Sequence, residues 1–550
     1  MKKQKEYSIL FYGTILLCLW GGIYDFAIAF YGMTFACILL CIIWKNPIKI
    51  PQTVSTIGML AISVGYGISI VAAKDQGIAF LGLLRILAMF IFYILWNNIE
   101  MNVQKRVWEI LPVLAVLVTV IAIVAYPFSE LRDVFFRAGR LGGVFQYSNT
   151  YALFLLIAVV ILLFRETKKR SDYIMLAVLI AGIVICGSRS VMVLALIVIS
   201  LWIYKDQKLR RPMGFVLGVV AIWGVGIQLI ARMDLQRLFK LTLHSSTLNG
   251  RFLYWKDAAS VILKNPLGLG YMGYYFLQPQ FQTGNYMTKF VHNDILQCGL
   301  DAGIIPMAML VYMIAANIID KTISTRNRVI LAIIMLHCLF DLDLQFGAMM
   351  CLMIMCLNGN NKKIWKCKAA WNHVLIGMST IILAYFTVAL GLAYFGMNEE
   401  ALVMYPGNTF AREQLMESDA KVAEEIIEQN GMIASAYSCA VKIHIEKQEY
   451  EEAYKDIEGM IKCAGYNIDY YNLAVYDLSF CLQQAIDNND EKMMIKCIDK
   501  IKAVPKTLEE IEQRTSKLAF KINDKPELEL AEEIQEYVKS ISGIDESSFK

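Results

Sequence analysis

The sequence predicts an all-α fold: a polytopic membrane helix bundle of about 12–13 spans, followed by a soluble, solenoid-like α-helical domain. Three observations predict it. Of 550 residues, 57% are hydrophobic and only 18% are charged, against about 25% charged in soluble domains, and the mean hydropathy is +0.49. The apolar residues gather in runs of roughly 17–25, long enough to cross a bilayer as helix and too long for barrel strands. From about Asn398 the composition turns polar and rich in Glu and Lys, with apolar residues at helical spacing.

Taken in order, the runs place spans at 7–21, 26–44, 54–73, 78–98, 108–127, 147–164, 172–187, 190–204, 213–232, 304–319, 329–345, 346–358 and 373–396. Met1-Lys2-Lys3-Gln4-Lys5 resembles the start of a signal peptide, but no small-x-small cleavage site precedes the next span, so the first helix reads as retained. Lys and Arg concentrate in alternate loops, around 2–5, 45–49, 105–106, 165–170, 205–211, 321–328 and 362–368. The positive-inside rule makes those loops and the N-terminus cytoplasmic. Residues 1–397 then form a multi-pass domain of a cell membrane, with a large external loop over 233–303. Residues 398–550 form an extracytoplasmic helical domain.

In that last part Ala434, Tyr437, Ala440, Val441, Ala453, Tyr454 and Ile457 recur at helical spacing, and Gln448 to Tyr454 looks like the turn of a tetratricopeptide-type repeat. Four cysteines here, Cys439, Cys463, Cys481 and Cys497, are unusual for an external domain and stand against this topology. The 13 cysteines are mostly scattered within apolar runs without paired spacing, which argues against a zinc site or a disulfide framework. A net charge of only +4 gives no reason to expect a nucleic-acid partner.

The interval from Arg232 to Gly303 breaks the apolar series. It is too aromatic and too rich in hydrogen-bonding groups for a linker. On the expected topology, Arg140, Arg189 and Arg251 all fall on the external side, each close to Gly, Ser or Asn. A single arginine at that surface usually snorkels to headgroups, which suffices for Arg137. Three on the face that disfavours positive charge suit an anionic ligand, because guanidinium presents a planar fork of donors to phosphate oxygens. His292 lies in the same loop, and its imidazole can accept a proton from a hydroxyl nucleophile. Asn293, Asp294, Asp301 and Asp341 are candidates to assist it; Asp294 and Asp301 equally suit loop or helix-cap positions.

Asp341-Leu342-Asp343 has the spacing of a metal-binding DxD motif, but a helix would point the two carboxylates apart. His337 and Asp341, four residues apart, could share a helix face. Tyr271, Tyr274 and Tyr275 suit either sugar stacking or an interfacial aromatic belt.

Arg140 with Gly142 to Asn149, Gly187-Ser188-Arg189-Ser190, Asn249-Gly250-Arg251 with Trp255, Asn265-Pro266-Leu267-Gly268-Leu269-Gly270, and His292-Asn293-Asp294 with Gly303 occur in an order that resembles the O-antigen ligase and polymerase family. The resemblance covers roughly 80–400 and is strongest in 240–305. It implies a membrane glycosyltransferase, without metal or cofactor, that takes a polyprenyl-diphosphate-linked glycan from the membrane lipid phase and passes it to an acceptor glycan, glycolipid or protein. It implies that Arg189 and Arg251 hold the diphosphate and that His292 acts on the acceptor hydroxyl. The helical tail is not part of the minimal ligase. Two other readings compete: a flippase or transporter without chemistry, and a scaffold whose tail recruits partners. The first predicts internal repeats, which the sequence lacks; the second leaves the arginines and His292 unexplained.

Overall fold

A computed structural model describes residues 22–44, 47–205, 246–357, 364–366, 369–416 and 420–543, with Gly13, Gly214 and Gly218 as isolated positions. The expected spans at 7–21 and 213–232, apart from those glycines, lie outside the described residues. The chain is all-α, with two short two-stranded ribbons among the described residues. The helices α1 (Asp25–Ile43), α2 (Val54–Ala72), α3 (Gln76–Asn98) and α4 (Met101–Ala125) come first, then a short α5 (Ser129–Phe135), α6 (Ser148–Leu163), α7 (Arg170–Cys186) and α8 (Arg189–Lys205). They are followed by α9 (Ser246–Lys264), α10 (Gly273–Phe281), α11 (Asp294–Ala302), α12 (Ile304–Ile319), α13 (Thr325–Cys338), α14 (Gly347–Cys356) and α15 (Ala369–Tyr394).

Among the described residues, α1 to α4 and the Trp371–Tyr394 part of α15 are long and apolar enough to cross a membrane; α6, α12 and α14 are shorter apolar helices. The α2 surface shows why they stand in lipid. Ile57, Leu60, Val64, Ile68 and Val71 recur every three or four residues and are all exposed, a stripe that water would not tolerate. The buried side of α2 interleaves Ser55, Gly58, Ser63, Gly65 and Ser69 with Met59, Ile62 and Tyr66. A Cβ on Gly65 would sit 2.1 Å from Pro306 of α12, so the glycine permits the close approach that packs helices in a bilayer.

Residues 329–345 were expected to form one span, but the helix stops at Cys338. Residues 339–346 form a loop with a 3-10 turn over Asp343–Gln345. Both carboxylates in that loop are fully buried, and only an irregular backbone lets them take donors from different directions.

Loops with basic residues meet at one end of the bundle. Lys49–Pro51 pairs antiparallel with Ile364–Lys366, Asn98 bonds the Lys49 carbonyl at 2.9 Å, and Arg326 stacks over Trp108 at 4.4 Å. From that end α4 carries the chain away to the Phe136–Leu141 hairpin and the start of α6.

Beyond α15 lie α16 (Asn398–Met404), α17 (Thr409–Glu413), α18 (Ala420–Gln429), α19 (Ala434–Glu446), α20 (Tyr450–Ala464), α21 (Ile468–Asp487), α22 (Glu491–Arg514) and α23 (Glu532–Ser542). From α18 to α22 each helix packs on the next around a core that includes Ile457, Leu478 and Ile501. Cys463, Cys481 and Cys497 are buried, which withdraws their thiols from solvent. The stack is fastened to the bundle at Asp75, which caps α3 through Ile78 N–H at 2.9 Å. The same carboxylate accepts from Thr409 Oγ1 at 2.5 Å and Asn430 Nδ2 at 2.9 Å.

Candidate functional site

The site is built around Asp341. Its carboxylate is completely buried and every acceptor direction is used. Oδ1 takes Tyr147 OH at 2.6 Å, the Leu342 amide at 3.0 Å and His292 Nδ1 at 3.4 Å. Oδ2 takes Asn149 Nδ2 at 2.6 Å and the Arg251 guanidinium at 3.3 Å. Burial raises the carboxyl pKa, but the His292 hydrogen bond and then the Arg251 charge outweigh it and hold the group well below the usual carboxylate range. Asp341 is therefore an anion that keeps a histidine and an arginine side by side.

Those two side chains reach the surface while their anchor does not: 25% of the His292 side chain and 16% of the Arg251 side chain are exposed. His292 has φ +51°, a left-handed backbone that non-glycine residues seldom adopt outside constrained sites. The next residue, Asn293, caps α11 by accepting from Leu296 N–H at 3.0 Å, and its amide donates to the Leu339 carbonyl at 3.0 Å. Asn293 thereby ties the His292 turn to the loop that carries Asp341. A carboxylate beside Nδ1 favours the tautomer of the neutral ring that has its proton there, which leaves the Nε2 lone pair facing outward. Nε2 has no hydrogen bond among the described residues.

The arginines divide in role. Arg251 sits on α9 and touches the hub directly. Arg140 works through a neighbour: its Nε donates to the Cys186 carbonyl at 2.8 Å and an Nη to Asn149 Oδ1 at 2.7 Å. It orients the amide that grips Asp341 and ties the hairpin to the α7–α8 turn. Gly187 closes α7 with φ +64°, and half-buried Arg189 opens α8.

A second chain of bonds starts from Asp343. It accepts from Thr150 Oγ1 at 2.8 Å and from His337 Nδ1 at 2.5 Å, and His337 Nε2 meets Ser190 Oγ at 3.0 Å. His337 therefore pairs with Asp343 and not with Asp341, because the helix ends one residue after it. The two aspartates do point apart, but in a loop, one toward His292 and Arg251, the other toward the start of α8 beside Arg189.

Asp294 and Asp301 bond elsewhere than His292. Asp294 takes Leu344 N–H at 2.9 Å and Gln345 Nε2 at 3.1 Å. Asp301 takes Gln297 Nε2 at 2.9 Å and Tyr66 OH at 3.1 Å, and burial pushes its carboxyl up to about 7. Ligating atoms of Asp294, Cys338 and Asp343 lie within 4.8 Å of one another. Both carboxylates also accept protein hydrogens, Asp294 from Leu344 and Gln345 and Asp343 from Thr150 and His337. Tyr271 and Tyr274 are buried, the first bonded to Asp25 and the second to Tyr286. Neither offers a face to a sugar.

The glycine-rich Asn265–Gly270 stretch clamps α11 from behind. Leu269 N–H bonds the Leu300 carbonyl at 2.6 Å, Gly270 N–H the Asp301 carbonyl at 3.1 Å, and Ile304 N–H the Pro266 carbonyl at 3.0 Å. Gly268 has φ +84°, and a Cβ there would lie 2.8 Å from the Asp301 carbonyl oxygen, so only glycine fits.

Sequence reading missed Arg85. It is buried within α3, pairs with Asp25 at 2.6 Å and donates to the Gln345 carbonyl at 2.7 Å, so it holds the far end of the hub loop. The available signal was an arginine in the middle of an apolar run.

A family model described as O-Antigen ligase matches residues 174–311. The chain carries an O-antigen ligase domain. The ligase domain runs from α7 to the middle of α12 and contains Arg189, Arg251 and His292; Arg140, Asn149 and Asp341 lie on either side of it. The family acts in general as membrane glycosyltransferases of the ligase or polymerase type, in polysaccharide biosynthesis, on lipid-linked glycans and acceptors. No curated protein matches the sequence.

Proposed function

We propose that this O-antigen ligase-type protein transfers a glycan from a polyprenyl-diphosphate donor to an acceptor hydroxyl at the outer face of the cell membrane. The observation that carries the reading is the pairing of Arg251 and His292 on one buried carboxylate. The acceptor oxygen attacks the anomeric carbon and its proton passes to His292 Nε2. The bond from that carbon to the diphosphate oxygen breaks, and its electron pair leaves with the polyprenyl diphosphate. A single displacement inverts the anomeric centre.

Arg251 and Arg189 neutralise the charge that grows on the leaving group, so their contribution is larger in the transition state than in the ground state. This cationic pair takes the place of a metal. Arg140 supports them by fixing Asn149. Asp341 keeps His292 in the tautomer whose outward nitrogen is basic, and stabilises the imidazolium once it forms. On this reading the N-terminus is cytoplasmic, 1–397 is the membrane domain, and 398–550 is an extracytoplasmic domain beside the site. The acceptor is a glycan, glycolipid or protein.

Reconstitution with a lipid diphosphate oligosaccharide tests it, scored by loss of lipid-linked donor. His292→Ala and Arg251→Ala each lower turnover by about 10²-fold or more. Wild-type turnover in both variants removes the assignment. Glycan that crosses the bilayer with its lipid linkage intact favours a flippase.

A further inference from the structure

Arg251 stands on a helix whose other side is held by the C-terminal tail. At 100° per residue, positions two before and two after Arg251 lie on the opposite face of α9. Those positions are Asn249 and Leu253, and both meet the stretch between α22 and α23. Asn249 Nδ2 donates to the Lys521 carbonyl at 3.2 Å, and one turn earlier Ser246 Oγ accepts from Asn523 N–H at 2.7 Å. Leu253, fully buried, shares a core with Ala519 and Ile522. The fit is tight, since a Cβ on Gly284 would come 2.7 Å from Ala519 Cβ.

The same stretch also binds the loop beside α9. Ser516 N–H donates to the Thr283 carbonyl at 2.8 Å and Arg514 to the Pro279 carbonyl at 2.9 Å. Thr283 in turn donates twice to Asp257 of α9, each bond 2.8 Å. Among the described residues, the principal neighbours of α9 are this stretch and the short helices α11 and α10, with no long span among them. The tail is also attached at Asp75, at the start of α3, and along α10, where a Cβ on Gly465 would lie 3.0 Å from Pro279 and Gln280 Nε2 donates to Met432.

We propose that residues 514–525 are a positioning element of the glycosyl-transfer site, a strap that presses α9 toward Asp341 and sets the place of Arg251. The tail is then part of the catalytic unit in addition to anything it recruits. This rests on the reading of Arg251 as a donor ligand, and the experiment separates the two.

The test uses the full chain in nanodiscs and two sets of variants. Ala519→Glu puts a charge into the shared core; the double variant Ser246→Ala/Asn249→Ala removes two hydrogen bonds and leaves the core intact. Hydrogen exchange is read over 246–264 and 514–525, and KM is measured for a lipid diphosphate oligosaccharide and for its acceptor. The α9 amides are expected to exchange about tenfold faster or more, with donor KM raised about tenfold and acceptor KM unchanged. Ala519→Ser restores wild-type values, and Lys500→Ala, which removes only the Lys500–Glu458 pair between α22 and α20, changes neither reading. Faster exchange in 514–525 with unchanged α9 exchange and unchanged donor KM overturns the strap. Should Ala519→Glu unfold the chain, the double variant decides by the same readings. Loosened α9 in a chain whose wild type turns over no donor supports the strap and removes the donor-ligand reading instead.

Discussion

Asn149 and Asp341 lie 192 residues apart in sequence and bond at 2.6 Å. The bond completes a chain in which Arg140 aims Asn149, Asn149 grips Asp341, and Asp341 holds Arg251 and His292. Residues inside and outside the matched ligase span thus form one unit, and its members should respond together.

Asp341→Asn keeps the shape and removes the charge. The amide cannot accept from all the donors that now converge, and His292 loses the partner that fixes its tautomer. Turnover is expected to fall about 10²-fold or more, with the protein still inserted and folded by size-exclusion chromatography. Donor consumption by reconstituted protein is the measurement.

Arg251→Lys keeps the charge and loses the fork. An ammonium on a flexible stem cannot serve Asp341 and a phosphate oxygen with fixed geometry. Donor kcat/KM is expected to fall about tenfold, while acceptor KM stays near wild type.

His337→Ala tests the second chain of bonds. It leaves Asp343 with one side-chain donor, Thr150, in a fully buried place. The loss is expected to be about 3 kcal/mol or more, read as a lower unfolding midpoint in detergent.

Gly303→Ala strains the turn between α11 and α12. Its φ is +98°, and the new Cβ would sit 2.4 Å from the Pro266 carbonyl oxygen. The cost is expected to be about 2 kcal/mol and to appear in the same unfolding measurement.

The pH dependence carries opposite signs at two aspartates. Asp341 has a depressed pKa, so its contribution is present above about pH 4 and lost as pH falls below that. Asp301 is raised to about 7, so the folded state binds a proton that the unfolded state has released. Stability therefore falls as pH rises from about 4 towards 7. Asp301→Asn flattens that fall, as midpoints measured across this range will show.

Much of the fold was legible along the chain because a bilayer leaves few options. Apolar runs of spanning length must be helices, and α7 and α8 fall within two residues of their expected limits. The residue types of the site were legible for a similar reason: arginines and a histidine at polar breaks need partners or a ligand. The break after Cys338 was not legible, since an apolar run reads alike whether it continues or folds back. Nor was Asp343, in place of Asp341, as the partner of His337.

By itself the sequence determined that this chain is a helical membrane protein with cationic groups gathered at its polar interruptions, because periodicity and the cost of bare backbone in lipid act locally. Tertiary structure alone decided that Asp341 is the anchor, that Arg140 supports Asn149, and that a tail segment grips the back of α9. Each of these depends on groups brought together from distant parts of the chain, where burial makes every donor seek the nearest acceptor whatever their separation in sequence.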